Sequence, residues 1–175
     1  MNGVAQVDAD QISLTRCPNL SLRTNTPKGR GIFATTSIPA GTIIEISPVL
    51  ILTREENETH IEKTSLYHYT YNWPLKTILP ETGTTITKTQ AVVLGLGSLF
   101  NHSSRDQNVG WLRDLERQVI IYKTLREIEE GEELSISYGE RLTFVDADLS
   151  LEDDHREDDE GQEGMLRDLD PGILG

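Results

Sequence analysis

Ile128-Glu129-Glu130-Gly131-Glu132-Glu133-Leu134-Ser135-Ile136-Ser137-Tyr138-Gly139 reads as a turn that opens a strand. Gly131 offers a reversal among carboxylates, and Leu134, Ile136 and Tyr138 then alternate with Ser135 and Ser137, the period-two pattern of a half-buried strand ending at Gly139. Working outward, the alternation recurs. Val109 to Leu115 and Gln118 to Leu125 form a predicted hairpin around Glu116-Arg117, and Thr84 to Thr89 a further strand. Thr42 to Leu52 is dense in β-branched residues, with Pro48 pointing to an edge or a bulge. Leu20 to Asn25 and Ile32 to Thr35 flank the turn-rich Thr26-Pro27-Lys28-Gly29-Arg30-Gly31. Only Arg54 to Thr64 carries helical spacing, as a short exposed helix, so the expected class is a mainly β domain with little helix.

Between these strands, Tyr67, Tyr69, Tyr71 and Trp73 occupy alternate positions in Leu66 to Pro74. An extended backbone would put all four on one face, either as a cage for a cation or as one buried strand face. Ala91 to Phe100 is an apolar run interrupted by Gly95 and Gly97.

The 175 residues carry a net charge of -13, which argues against direct nucleic-acid binding, since that affinity rests on Lys and Arg neutralising phosphates. The charge is unevenly placed: Phe144 to Gly175 holds twelve Asp or Glu against Arg156 and Arg167, leaving residues 1 to 143 at -3. The acidity therefore belongs to a tail. As a like-charged run with few aromatics, Asp146 to Asp170 is either a solvated, disordered segment or an attractor or competitor for a basic partner. Cys17 is the single cysteine, so neither an internal disulfide nor a multi-thiolate zinc cluster is possible, which favours a reducing nuclear or cytoplasmic location. Met1 to Thr15 has no apolar core of signal-peptide length, and no run approaches the roughly 20 residues needed to cross a bilayer.

Single features carry little. A glycine pair such as Gly29 and Gly31 is usually a tight turn, Asn101-His102-Ser103 usually a capped turn, and a tyrosine such as Tyr138 usually packing. Their order and spacing carry more. Lys28-Gly29-Arg30-Gly31-Ile32-Phe33-Ala34, then Ile38-Pro39-Ala40-Gly41, then Leu99-Phe100-Asn101-His102-Ser103 with Asn108-Val109, and finally Ile128 to Gly139, resemble the motifs of the SET domain of protein lysine methyltransferases. The resemblance covers about Leu20 to Phe144. It implies a β fold of several small sheets closed by a pseudoknot, in which the chain after Tyr138 threads under the Asn101 segment.

The resemblance also implies S-adenosyl-L-methionine as methyl donor, no metal, and a lysine of a basic protein, foremost a histone tail, as acceptor. Carried over by position, the cofactor residues are Lys28, Gly29, Arg30, Gly31, Tyr69, Asn101 and His102, with Lys28, Arg30 and His102 acting through their backbones. Tyr138 is the implied catalytic residue, and Tyr71, Ile136 and Tyr138 the implied lining of the lysine channel. Ile136 stands where some relatives carry Phe or Tyr, so di- or trimethylation is expected. Ser104 and Gln107 replace a cysteine and a proline common in the family, and cysteine-rich zinc segments flank many relatives but not this chain, so Leu142 and Phe144 are the candidates to complete the pocket. The expected organisation is a flexible arm over 1 to 18, the domain over 19 to 144 with its variable insert at about 54 to 88, and the acidic tail over 145 to 175. Two other readings stay open: an enzyme acting on a non-histone protein, and a catalytically silent interaction module. Oligomeric state is not legible.

Overall fold

Alternating apolar residues drive nine strands in this computed structural model, which describes residues 12 to 79 and 83 to 139. The strands are β1 (Leu20–Thr26), β2 (Gly29–Ala34), β3 (Ile43–Ile51), β4 (Thr70–Leu79), β5 (Gly83–Val93), β6 (Asn101–His102), β7 (Val109–Asp114), β8 (Val119–Thr124) and β9 (Glu133–Ile136). They form a four-stranded sheet in the order β1-β2-β9-β6 and a five-stranded sheet in the order β4-β5-β3-β8-β7. Ile32, Ile44, Trp73, Phe100, Tyr122, Ile128, Leu134 and Ile136 are all at most 1% exposed and share one core. Each such apolar side chain contributes roughly 1.5–3 kcal/mol by leaving water.

β9 organises the smaller sheet. β9 pairs antiparallel with β2, Ile32 opposite Leu134, and parallel with β6, Asn101 opposite Ser135 and His102 opposite Ile136. The parallel pairing inserts β9 between two strands that precede it in sequence. The chain from residue 140 onward, which includes Leu142, Phe144 and the acidic tail, lies outside the described residues.

The β class and the β7–β8 hairpin match the expectation, and four local readings are corrected. Tyr67 and Tyr69 belong to a 3-10 helix, Ser65–Tyr69, and not to a strand. Thr64 caps it, its Oγ1 accepting from Leu66 N at 3.2 Å, so only Tyr71 and Trp73 share a strand face and Trp73 is buried. Arg54 to Thr64 is one α-turn, α1 (Arg54–Glu56), capped by Thr53 and running into π-helical Asn57–Ile61. Pro48 lies inside the central β3, opposite Val119. β5 ends at Val93 and Leu94 N donates to Pro48 O, so the missing proline N–H forfeits no ladder bond. The end of the N-terminal arm is docked: Cys17 N donates to Ile44 O at 2.7 Å and Ile46 N to Thr15 O at 2.9 Å.

The turn before β9 is held by charge. Arg126 donates to both carboxylate oxygens of Glu132, at 2.6 and 3.2 Å, while Glu129 N and Asn108 Nδ2 add bonds of 2.9 Å. The Arg126 hydrogen bond foremost, then the backbone N–H of Glu129 and the Asn108 amide, hold the Glu132 carboxyl at about 2, against the cost of partial burial. A depressed carboxyl pKa contributes stability that is complete above the unfolded value near 4.5 and is lost as pH falls through the folded value. Because Arg126 is half exposed, we expect a contribution of about 1–2 kcal/mol rather than the full value of the shift. Urea unfolding of wild type and Glu132→Gln should therefore differ at pH 6 and converge between pH 4.5 and 2. A gap constant over that window would contradict this account.

Candidate functional site

The pairing of β9 with both β2 and β6 brings the glycine pair, the asparagine and the tyrosine of the sequence motifs to one end of the small sheet. Gly29 has φ +89°, with no atom within 4 Å of where a Cβ would stand. That left-handed turn costs any other residue and leaves the backbone open to a close approach. Gly31 is needed for a different reason: a Cβ there would collide with the Glu133 carboxylate and lie 3.0 Å from Asn101 Nδ2. Asn101 Nδ2 donates to Arg30 O at 2.9 Å and to Glu133 Oε1 at 2.7 Å, so one amide ties β2, β6 and β9 together. Lys28 Nζ donates to His102 O at 3.1 Å, and Arg30 reaches Tyr69 Oη at 3.0 Å.

Tyr138 is fixed at both ends. Its N–H donates to His102 Nδ1 at 3.1 Å and its hydroxyl to Phe100 O at 2.6 Å, with the two rings 5.3 Å apart. His102 is buried and its Nδ1 is an acceptor, so the ring positions the Tyr138 backbone and its proton sits on Nε2. Tyr138 keeps 42% of its surface exposed, yet desolvation of the phenol, with Tyr69 nearby, pushes its pKa up to about 12. At neutral pH it is a protonated phenol whose hydrogen is spent on Phe100 O.

Tyr71 approaches from the larger sheet. Its hydroxyl donates to Gly97 O at 2.9 Å, Tyr122 donates to Tyr71 Oη at 3.2 Å, and burial raises the pKa of both phenols, to well above the usual value at Tyr122. Ile136 is fully buried within the core cluster, beside the site and not open at its surface. Tyr67 packs against its neighbour His68, rings 6.4 Å apart. With Trp73 1% exposed, the aromatic stripe is a buried strand face at its C-terminal end and not a four-walled cage.

Four important residues escaped the sequence reading. Glu133 stood inside a quoted motif but its bond to Asn101 was not foreseen. Glu45, 3% exposed, accepts from Leu96 N at 2.6 Å, Gly97 N at 3.2 Å and Ser47 Oγ at 2.9 Å, and pairs with Arg16 at 2.5 Å. It anchors the loop whose Gly97 carbonyl holds Tyr71. Its signal was a carboxylate flanked by isoleucines, and a register shift between Ile43 and Glu45 turns it inward. Tyr122 and Trp111 looked like ordinary hairpin residues.

These features define a β fold whose glycine turn, asparagine and terminal tyrosine converge on one site. The model of the SET domain family matches residues 29 to 139, and the chain belongs to that family. It is a protein-lysine methyltransferase. A Schizosaccharomyces pombe protein described as histone-lysine N-methyltransferase, H3 lysine-37 specific, is 46% identical over 136 residues, which span 78% of this chain and 83% of that relative. A crystal structure of a Plasmodium falciparum protein, described as a "putative histone methyltransferase", covers 70% of this chain and 95% of its own at 24% identity and a TM-score of 0.49, and adds nothing to the family match.

Proposed function

We propose that the chain transfers methyl groups from S-adenosyl-L-methionine to a lysine of a histone. The observation that carries this is the convergence of the Gly29–Gly31 backbone, the Asn101 amide and the doubly anchored Tyr138 around β9. The residues suit the cofactor: the open backbone at Gly29 admits a ligand, and the Lys28 and Arg30 backbone with the Asn101 side chain supplies polar groups for an amino-acid end. The His102 backbone would meet the adenine end, and Tyr69, tethered to Arg30, would flank the site. When bound, the cofactor supplies a methyl group already activated on a sulfonium.

What remains for the protein is placement and proton state. Tyr138, neutral and with its hydrogen held by Phe100 O, presents lone pairs to a polarised methyl group and is no base. Tyr71 lines the approach, and burial of a lysine there favours the uncharged amine that attacks. Alignment of the reacting atoms alone is worth several kcal/mol. Ile136 is withdrawn into the core where some relatives carry Phe or Tyr, so this position takes no room from a methylated amine. The products on a reacted peptide should therefore run beyond monomethyl, and mass spectra that stop at monomethyl would contradict this.

The domain is proposed to span 19 to 144, and the similarity to an H3-directed relative favours a histone substrate and nuclear work. Labelled S-adenosyl-L-methionine, offered with histones and with cell extract, tests the reading. Label on a histone supports it, label only on other proteins moves the substrate, and no label with no cofactor binding by calorimetry overturns it.

A further inference from the structure

A contact made by the larger sheet, from a residue outside the quoted motifs, bears on how the reacting groups are held. Trp111 sits half buried on β7, opposite Tyr122 in register. Its indole N–H donates to Ser137 O at 3.0 Å, so the larger sheet grips the peptide that leads directly into Tyr138. The same ring meets Tyr71 edge-on, centroids 5.5 Å apart at 87°. One indole thus touches the carriers of both tyrosines assigned to the lysine channel, and Tyr71 is further fixed through Gly97 and Tyr122.

The outer face of the indole is covered as well. The Arg113 guanidinium lies 4.5 Å from the Trp111 ring centroid, a cation on a π face. Arg113 Nε is buried and has no hydrogen-bond partner in the described structure, an unusual cost for a charged group on an edge strand. Burial lowers the Arg113 pKa, with Tyr71 and Tyr122 opposing that effect. A surface arginine loses nothing by turning to water. This one remains stacked, and that stacking restricts the indole to the orientation in which its N–H meets Ser137 O.

We propose that Trp111 is a positioning residue for methyl transfer, setting Tyr138 through the Ser137 carbonyl and Tyr71 through its ring edge, with Arg113 as its clamp. The inference rests on the methyltransferase reading above. A displacement of about 1 Å in a reacting group can cost on the order of 100-fold in rate, whereas the same shift barely alters ground-state binding. Loss of the indole N–H therefore acts on kcat and spares KM.

The full chain carrying Trp111→Phe keeps an aromatic ring on β7 and removes the donor together with the nitrogen-bearing ring of the indole. Its kcat should fall at least about tenfold, with peptide KM and S-adenosyl-L-methionine affinity by calorimetry within about twofold of wild type. Arg113→Met, which removes the cation and keeps an apolar stem, should show a smaller fall in kcat with the same unchanged KM. If Trp111→Phe folds poorly, site-specific benzothienylalanine at 111 preserves the indole shape without an N–H and should reproduce the loss. A kcat within twofold of wild type in a folded Phe or benzothienyl variant overturns the proposal, as does a loss that appears only as raised KM or falls in step with the folded fraction. The failures separate cleanly: an inactive wild type sinks the methyltransferase reading, whereas an active wild type with indifferent variants sinks only this one.

Discussion

Tyr138→Phe is expected to lower kcat for methyl transfer at least about 100-fold, the order of effect seen when one preorganised polar contact to a reacting centre is lost. The phenol oxygen is held 2.6 Å from Phe100 O and its hydrogen is committed there, so what the substitution deletes is the fixed electron-rich atom that the proposed function sets against the methyl group. A hundredfold loss corresponds to about 2.7 kcal/mol of transition-state stabilisation. The fold should persist. Tyr138 lies outside the core cluster, so the loss is confined to its bond to the buried Phe100 O, at a cost of about 1–3 kcal/mol. Cofactor affinity should change within about twofold, since the Gly29–Gly31 turn and Asn101 are untouched. Single-turnover rates, calorimetric titration and thermal melting together check all three parts. A variant that retains near-wild-type kcat would remove Tyr138 from the chemistry and leave it as the partner of His102 and Phe100.

That prediction was available from the sequence because each of its parts sits within one short motif. Gly29 to Gly31, Asn101 to His102 and Tyr138 each lie in a short motif, legible through the order and spacing of those motifs, and the fold only had to bring them together through β9. The residues that were missed owe their roles to juxtaposition. Trp111 matters because it reaches the Ser137 carbonyl, 26 positions away and just past β9, and Tyr122 because its hydroxyl meets the Tyr71 hydroxyl, 51 positions away. Neither has a local sign beyond being an apolar residue at an alternating position.

The misread aromatic stripe has a different cause. Alternation of Tyr67, Tyr69, Tyr71 and Trp73 is a real period-two signal, but it runs across the junction of two elements. Thr64 caps the first turn, and Thr70 Oγ1 donates to Tyr67 O at 2.8 Å, so local side-chain bonds close a 3-10 helix before β4 begins at Thr70. In Pro48 the error ran the other way: a residue that normally marks an edge is tolerated centrally because its neighbour strand stops one residue short of needing its N–H. In both cases the arbiter was hydrogen-bond accounting, which residue type alone does not record.

Gly97→Ala tests the part of the site that no motif announced, and is expected to destabilise the protein by about 3–5 kcal/mol, through overpacking and broken buried hydrogen bonds together. An added Cβ would overlap the Tyr122 ring and hydroxyl. The ring has nowhere to go: Tyr122 is fully buried, 5.1 Å from the Phe100 centroid, and its hydroxyl is bonded to Tyr71. The backbone cannot withdraw either, since Gly97 N donates to Glu45 Oε2 at 3.2 Å and Gly97 O accepts from Tyr71 at 2.9 Å. Whichever side yields, a buried phenol or carboxylate loses a partner. Melting temperature should fall on the order of 10 °C, given a few degrees per kcal/mol for a domain of this size. Because Gly97 O holds Tyr71, the activity of the folded fraction should fall too. Clash and network can be told apart by a double variant: adding Tyr122→Ala vacates the space, so the two destabilisations should sum to less than their separate values. Strict additivity, or a melting point within about 2 °C of wild type for Gly97→Ala alone, would mean that the Gly97–Tyr122 contact is looser than this geometry and that Tyr71 is not held from this side.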